Sequence, residues 1–179
     1  MTTRHDRNAA HALALMIADT INDGGNDCAI TGSIRRWKQT VGDIDMVVLT
    51  RNLDGVTLPD WLTFERGGES YRRYSAPIGY DTTIGVDIWR CADENHWGGY
   101  ILFSTGSAEY NIYLRRIAKQ QGMTLNQSGL WRGKRQVALG EQQIVAALGV
   151  DYLTPHERET WTTNENLTAL YNNNKGDQQ

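Results

Sequence analysis

The run Gly42-Asp43-Ile44-Asp45-Met46-Val47-Val48-Leu49 constrains this chain more than any other segment. It reads as a strand. Alternating side chains put Ile44, Met46 and Val48 on one face and Asp43 with Asp45 on the other, the two carboxylates ~7 Å apart along the strand. Like charges so placed repel, and unless a cation lies between them at least one should have a raised pKa. A third aspartate, Asp87, sits in Ile84-Gly85-Val86-Asp87-Ile88, where Val86 and Ile88 should bury and leave Asp87 on the exposed side with Trp89. A single acid at a strand start is ordinarily a solvated edge. Three on strands suit hard cations such as Mg²⁺, which keep open positions for water and phosphate. Two such ions ~3.5–4 Å apart can clamp the attacking and leaving oxygens of a phosphoryl transfer.

Upstream stands Thr31-Gly32-Ser33-Ile34-Arg35-Arg36. The pattern predicts a strand ending in Gly-Ser and a short helix beginning there, whose backbone N–H groups and Ser33 hydroxyl could grip a phosphate. Arg36 could add a charge-assisted contact. An isolated Gly-Ser would be read as a capped turn, but here it precedes Asp43 closely enough to set a phosphate cradle beside a metal site.

Elsewhere the pattern mixes elements. Ala9, Leu13, Ile17 and Ile21 recur at helical spacing and predict a helix over residues 6–22, stopped by Gly24-Gly25. Strands are predicted at 28–31, 43–49, 71–75 and 83–89, and a loop over 51–70. Helices are predicted at 94–103, with a weak point at Gly98-Gly99, at 108–121 and at 141–148. Short strands are predicted at 123–125 and 129–131. The class is α+β, with a boundary near Asp93 between a strand-rich first lobe (1–93) and a second lobe (94–171). A polar tail (172–179) is expected to fray. No stretch of ~20 apolar residues could span a membrane. The N-terminus lacks the apolar core of a signal peptide. Cys28 and Cys91 form no disulfide framework, and the four histidines lack zinc spacing. A cytoplasmic setting follows as the expectation.

The net charge of −3 argues mildly against a protein that coats nucleic acid. The distribution argues otherwise. Residues 115–135 hold Arg115, Arg116, Lys119, Arg132, Lys134 and Arg135 and no acid, a local charge of +6. Such a run is often a solvated face, and it can be the footprint of a phosphate backbone.

Gly32-Ser33-x-Arg35-Arg36 followed by Gly42-Asp43-Ile44-Asp45 resembles the signature of the nucleotidyltransferase superfamily, and most of all the family X (beta-like) DNA polymerases. Phe103-Ser104-Thr105-Gly106-Ser107 with Asn111 and Arg115 resembles the family's thumb motif. Gly129-Leu130-Trp131, residues 141–148 and Pro155-His156-Glu157-Arg158 resemble its C-terminal end. The likeness covers about residues 5–160 and is closest to the minimal, virus- or phage-type members that keep only palm and thumb.

The resemblance implies a beta-polymerase-like palm with a mixed sheet and helices, and a small α/β thumb. It implies that Asp43 and Asp45 bind both of two Mg²⁺ ions (Mn²⁺ substituting), and that Asp87 binds the catalytic one. Gly32, Ser33, Arg36 and the Gly42 backbone would hold the β and γ phosphates. Phe103 and Gly106 would lie against the sugar, and Asn111 would touch the minor-groove edge of the incoming base. Arg115 would do the same for the template, and Arg116, Lys119, Arg132, Lys134 and Arg135 would contact DNA. The expected activity is template-directed addition of deoxynucleotides to a primer 3′-hydroxyl in gapped DNA, by a monomer without a lyase domain. The alternative is a template-independent nucleotidyltransferase acting on nucleic-acid ends or another acceptor. Three positions depart from the family pattern. Ser104 stands where a second aromatic is usual, and Gly85 and Trp89 stand where basic residues often flank the third Asp.

Overall fold

The computed structural model describes residues 3–161, so the tail at 172–179 and the end of the predicted second lobe lie outside the described residues. Helix α1 (Arg7–Asp23) follows the predicted apolar stripe, burying Ala10, Ala14, Ile17, Ala18 and Ile21. Asp6 caps it, its carboxylate accepting from the backbone N–H of Asn8 (2.9 Å) and Ala9 (3.1 Å), which satisfies donors that have no partner within the helix.

The central sheet has five strands: β2 (Asp27–Ile30), β4 (Asp43–Leu49), β5 (Thr63–Gly67), β6 (Tyr71–Pro77) and β7 (Thr83–Cys91), in the order β2-β4-β7-β6-β5. The β4–β7 pair is parallel and the other pairs are antiparallel. α1 covers one face, where Ile44, Met46, Val48, Ile84, Val86 and Ile88 pack. On the opposite face the far half of β4 is covered by the C-terminal half of the chain. There Val47 and Cys91 pack under Ile101 of α3 (Trp97–Thr105), while in the near half Asp43 and Asp45 are partly buried and line a cleft.

Three local expectations need correction. Residues 51–70 are not simply loop: β5 lies there with every residue exposed, so no apolar alternation marked it. Two-residue strands β1 (His5–Asp6) and β3 (Thr40–Val41) pair with each other and are too short for any periodicity. The Gly98-Gly99 pair does not weaken α3 but lets it pack closely. A Cβ on Gly98 would stand 2.7 Å from the Glu141 nitrogen, and one on Gly99 2.7 Å from the Gln127 carbonyl oxygen. The helix itself begins at Trp97, after a 3₁₀ turn at Glu94–His96.

The C-terminal half adds α4 (Ala108–Gln120), an antiparallel sheet of β8 (Thr124–Asn126), β9 (Gly129–Arg132) and β10 (Arg135–Ala138), then α5 (Glu141–Ala147) and α6 (Glu157–Thr160). Ser107 caps α4. A second core gathers Leu102, Tyr110, Leu114, Leu130, Ile144 and Trp161 with their neighbours.

Candidate active site

Parallel pairing sets Asp45 directly beside Asp87 and Asp43 beside Gly85, on strands about 4.8 Å apart. Burial raises the Asp45 carboxyl to about 7, helped by Asp43 and Asp87 and opposed by Arg36 and Arg73. Asp43 is also raised, first by burial and then by Asp87, against Arg73 and Arg4. Carboxylates whose charged form is opposed by burial and by neighbouring acids are the groups a divalent cation would relieve, so this donor set fits metal. Among the described residues, however, no three His, Cys, Asp or Glu side chains converge into a metal cage as they stand. The Arg73 guanidinium stands among them instead. Its Nη1 lies 2.9 and 2.8 Å from the two oxygens of Asp87 and 3.9 Å from Asp43. The Tyr71 hydroxyl also donates to Asp87, at 2.7 Å.

The Gly-Ser turn forms as the one-turn helix α2 (Gly32–Arg35). Gly32 has φ +59°, and a Cβ there would overlap the Asp45 carboxylate. Only glycine brings this turn against the acid without displacing it. Gly32→Ala should therefore lower the melting temperature by several degrees: the left-handed backbone alone costs ~1–2 kcal/mol for a residue with a Cβ, at ~2–4 °C per kcal/mol, and calorimetry would read the loss.

Ser33, Arg36, Gly42, Asp43 and Asp45 line one cleft of about 290 Å³, together with Arg4 and Lys38. Sequence reading missed the last two. Arg4 is placed by the β1–β3 pairing, its Nε donating to Thr40 Oγ1 at 2.8 Å. Arg36 and Lys38 are tied to the C-terminal half. Glu159 lies 2.8 Å from Arg36 Nε and 2.5 Å from Lys38 Nζ, and Arg36 also donates to the Thr105 carbonyl. An arriving phosphate would have to compete with Glu159 for both cations.

Gly106 ends α3 at φ +74°, against the Arg36 guanidinium. Asn111 is buried and donates to the Phe103 carbonyl at 2.8 Å, while the Phe103 ring meets Trp89 edge-on at 5.8 Å and Arg115 at 5.6 Å. Phe103, Asn111 and Arg115 thus share one small crevice with Leu125 and Asn126. Arg115, Arg116 and Lys119 are exposed on α4, and Arg132, Lys134 and Arg135 are exposed where β9 turns into β10. Among the described residues none of these six joins a salt bridge.

The missed Arg73 had a legible signal. Once 71–77 and 83–91 are read as a hairpin with Pro77 opposite Thr83, Arg73 falls opposite Asp87. The clamp between halves had none. Arg35 gives Glu141 two hydrogen bonds (3.1 and 2.8 Å) and Thr105 one (2.6 Å) across some hundred residues of chain.

Residues 100–159 match the model of the DNA polymerase beta thumb. Over 137 residues the chain is 26% identical to DNA polymerase/3′-5′ exonuclease PolX of Bacillus subtilis, covering 72% of this chain and 24% of that protein. It is 26% identical over 164 residues to DNA polymerase lambda of Rattus norvegicus, covering 74% of this chain and 28% of that protein. Along nearly three quarters of its length the chain is thus similar to DNA polymerases. A 79-residue stretch is 37% identical to DNA nucleotidylexotransferase of Eulemur macaco, covering 42% of this chain and 15% of that protein. The chain thus spans about a quarter of the length of the first two relatives. No described helix is long and apolar enough to cross a membrane.

Proposed function

We propose that this chain is a template-directed DNA polymerase that extends a primer 3′-hydroxyl with deoxynucleotides in short gaps. The observation that carries the proposal is that Asp45 pairs directly beside Asp87 on one sheet face, while Asp43 and Asp45 line a cleft with Arg4, Arg36 and Lys38. Residues 1–93 would act as the palm and 94–171 as the thumb. Two divalent ions, Mg²⁺ or Mn²⁺, would supply charge neutralisation at the attacking and leaving oxygens. Asp43 and Asp45 would hold both ions and Asp87 would hold the catalytic one and take the proton of the primer hydroxyl. Ser33, the backbone at Gly32 and Gly42, and Arg36 released from Glu159 would hold the β and γ phosphates, with Arg4 and Lys38 beside them. Phe103 and Gly106 would face the sugar, and Asn111 and Arg115 the minor-groove edge of the nascent pair. Substrates would be gapped or primer-template DNA and deoxynucleoside triphosphates, handled by a monomer.

The decisive experiment is single-nucleotide addition to a one-nucleotide gap with each template base in turn. Incorporation that follows the template supports the proposal, and incorporation that ignores it overturns it. The likeness to a nucleotidylexotransferase motivates the second arm, a single-stranded primer with each nucleotide. Extension there as fast as in the gap would favour a template-independent transferase.

The six exposed cations predict strongly salt-dependent DNA binding, because each neutralised phosphate releases counterions. The joint substitution Lys134→Ala and Arg135→Ala should lower the slope of log affinity against log salt by about 2. Fluorescence anisotropy over a salt series would check this, and an unchanged slope would remove the β9–β10 turn from the DNA interface.

A further inference from the structure

We propose that Arg73 is a positioning residue for Asp87, reaching from β6 into a space that Gly85 leaves open on β7. The inference rests on the polymerase reading for its catalytic part and on geometry for the rest. Arg73 and Asp87 are direct cross-strand partners. One guanidinium nitrogen contacts both Asp87 oxygens, at 2.9 and 2.8 Å, and lies 3.9 Å from Asp43. Arg73 Nε is held by Glu65 at 3.4 Å, so the side chain is tethered at two points. Tyr71, two residues earlier and on the same face, donates to Asp87 Oδ1 at 2.7 Å.

Asp87 Oδ1 thus accepts two bonds and Oδ2 only one, which leaves Oδ2 the less committed oxygen, nearer in role to a ligand than to an anchor. A carboxylate fixed this way keeps one orientation toward Asp45, its neighbour across the β4–β7 pairing. A planar guanidinium holds Glu65 through Nε and Asp87 through Nη1 at the same time, where an ammonium would be a single point charge.

Gly85 is the permissive partner. A Cβ on it would lie 2.6 Å from Arg73 Cζ and 3.1 Å from Arg73 Nε, and closer still to Nη2. Because the obstructed group is the end of a flexible side chain, an alanine at 85 would expel the guanidinium and leave the strand in place. Gly85→Ala and Arg73→Ala should therefore produce the same defect by independent routes.

The test uses the full chain in four forms: Arg73→Ala, Arg73→Lys, Gly85→Ala and the Arg73→Ala, Gly85→Ala double variant. The first readout is binding of Mn²⁺ alone by calorimetry. Removing a cation that shares the carboxylates should tighten Mn²⁺ binding three- to tenfold in Arg73→Ala and Gly85→Ala, and leave it near wild type in Arg73→Lys. The second readout is gap filling at saturating metal. In Arg73→Ala kcat should fall at least thirtyfold with the nucleotide KM within threefold, Arg73→Lys should recover part of kcat, and the double variant should be no worse than Arg73→Ala. Unchanged Mn²⁺ affinity in both Arg73→Ala and Gly85→Ala overturns the proposal, as does a double variant whose loss is the product of the two single losses. If wild-type protein adds no nucleotide to any primer, the polymerase reading fails by itself. The Mn²⁺ series then still decides whether Arg73 governs the carboxylates.

Discussion

Asp45→Asn should abolish nucleotide incorporation and, in metal-free protein above neutral pH, raise the melting temperature. The two outcomes have one cause. Asp45 is partly buried beside Asp43 and Asp87, and its carboxyl is raised from 3.8 to about 7. Between those two values the native protein binds a proton that the unfolded chain does not, so stability falls as pH rises through that window and the deficit is complete above it. One pKa unit corresponds to about 1.36 kcal/mol, so the metal-free protein at pH 8 carries a penalty of up to about 4 kcal/mol at this position. Asparagine keeps the shape, removes the charge and lets Asp43 ionise more freely. For a chain of this length each kcal/mol moves the melting temperature by ~2–4 °C. An increase of about 5 °C or more at pH 8 in chelator is expected, shrinking towards zero near pH 4. Saturating Mn²⁺ should reverse the order, because it stabilises only the form that binds it. A variant that keeps wild-type incorporation would remove Asp45 from the site. One that melts lower than wild type at pH 8 in chelator would contradict the crowded-carboxylate account.

How far the sequence revealed this site depends on the range of each interaction. That Asp43, Asp45 and Asp87 lie on the face opposite the apolar one was legible because strand alternation is a period-two rule that needs no tertiary knowledge. The buried partners Ile44, Met46, Val86 and Ile88 followed from the same rule. The Gly32 turn was legible as a turn, but its contact with Asp45 was not, since that depends on the left-handed backbone at Gly32. Arg4 escaped because a two-residue ladder carries no periodicity. Arg36 was read as a free phosphate ligand, and its pairing with Glu159 depends on how the two halves dock. β5 stayed hidden because an edge strand exposed on both faces has no apolar rhythm to read.

Docking of the halves supplies the largest expected stability effect. Glu141, at the start of α5, receives Arg35 from α2 and Arg158 from α6, the latter at 2.7 Å. Arg158 is fully buried. Besides Glu141 it donates only to the Leu153 carbonyl at 2.9 Å, stacks on Tyr110 and Tyr152, and leaves Nη2 without a partner among the described residues. Burial alone would raise the Glu141 carboxyl, but the hydrogen bond from Arg35 and the charge of Arg158 hold it below the ordinary carboxylate value. A carboxylate lowered in this way contributes stability above its unfolded pKa, and that contribution is lost as pH falls through the folded value. Glu141→Ala would strand a buried guanidinium, which costs ~3–5 kcal/mol, so the melting temperature at pH 7 should drop by roughly 10 °C. The pairing of Glu141→Leu with Arg158→Met removes both charges and should recover most of the loss, because an apolar replacement of a buried pair is often neutral. If Glu141→Ala melts within 2 °C of wild type, as an exposed pair would, the clamp is not buried as the structure places it. The same variant loosens Arg35 and, through Thr105, the segment leading to Gly106. Its effect on nucleotide KM should therefore exceed that of any equally destabilising change in the second core, such as Ile144→Ala.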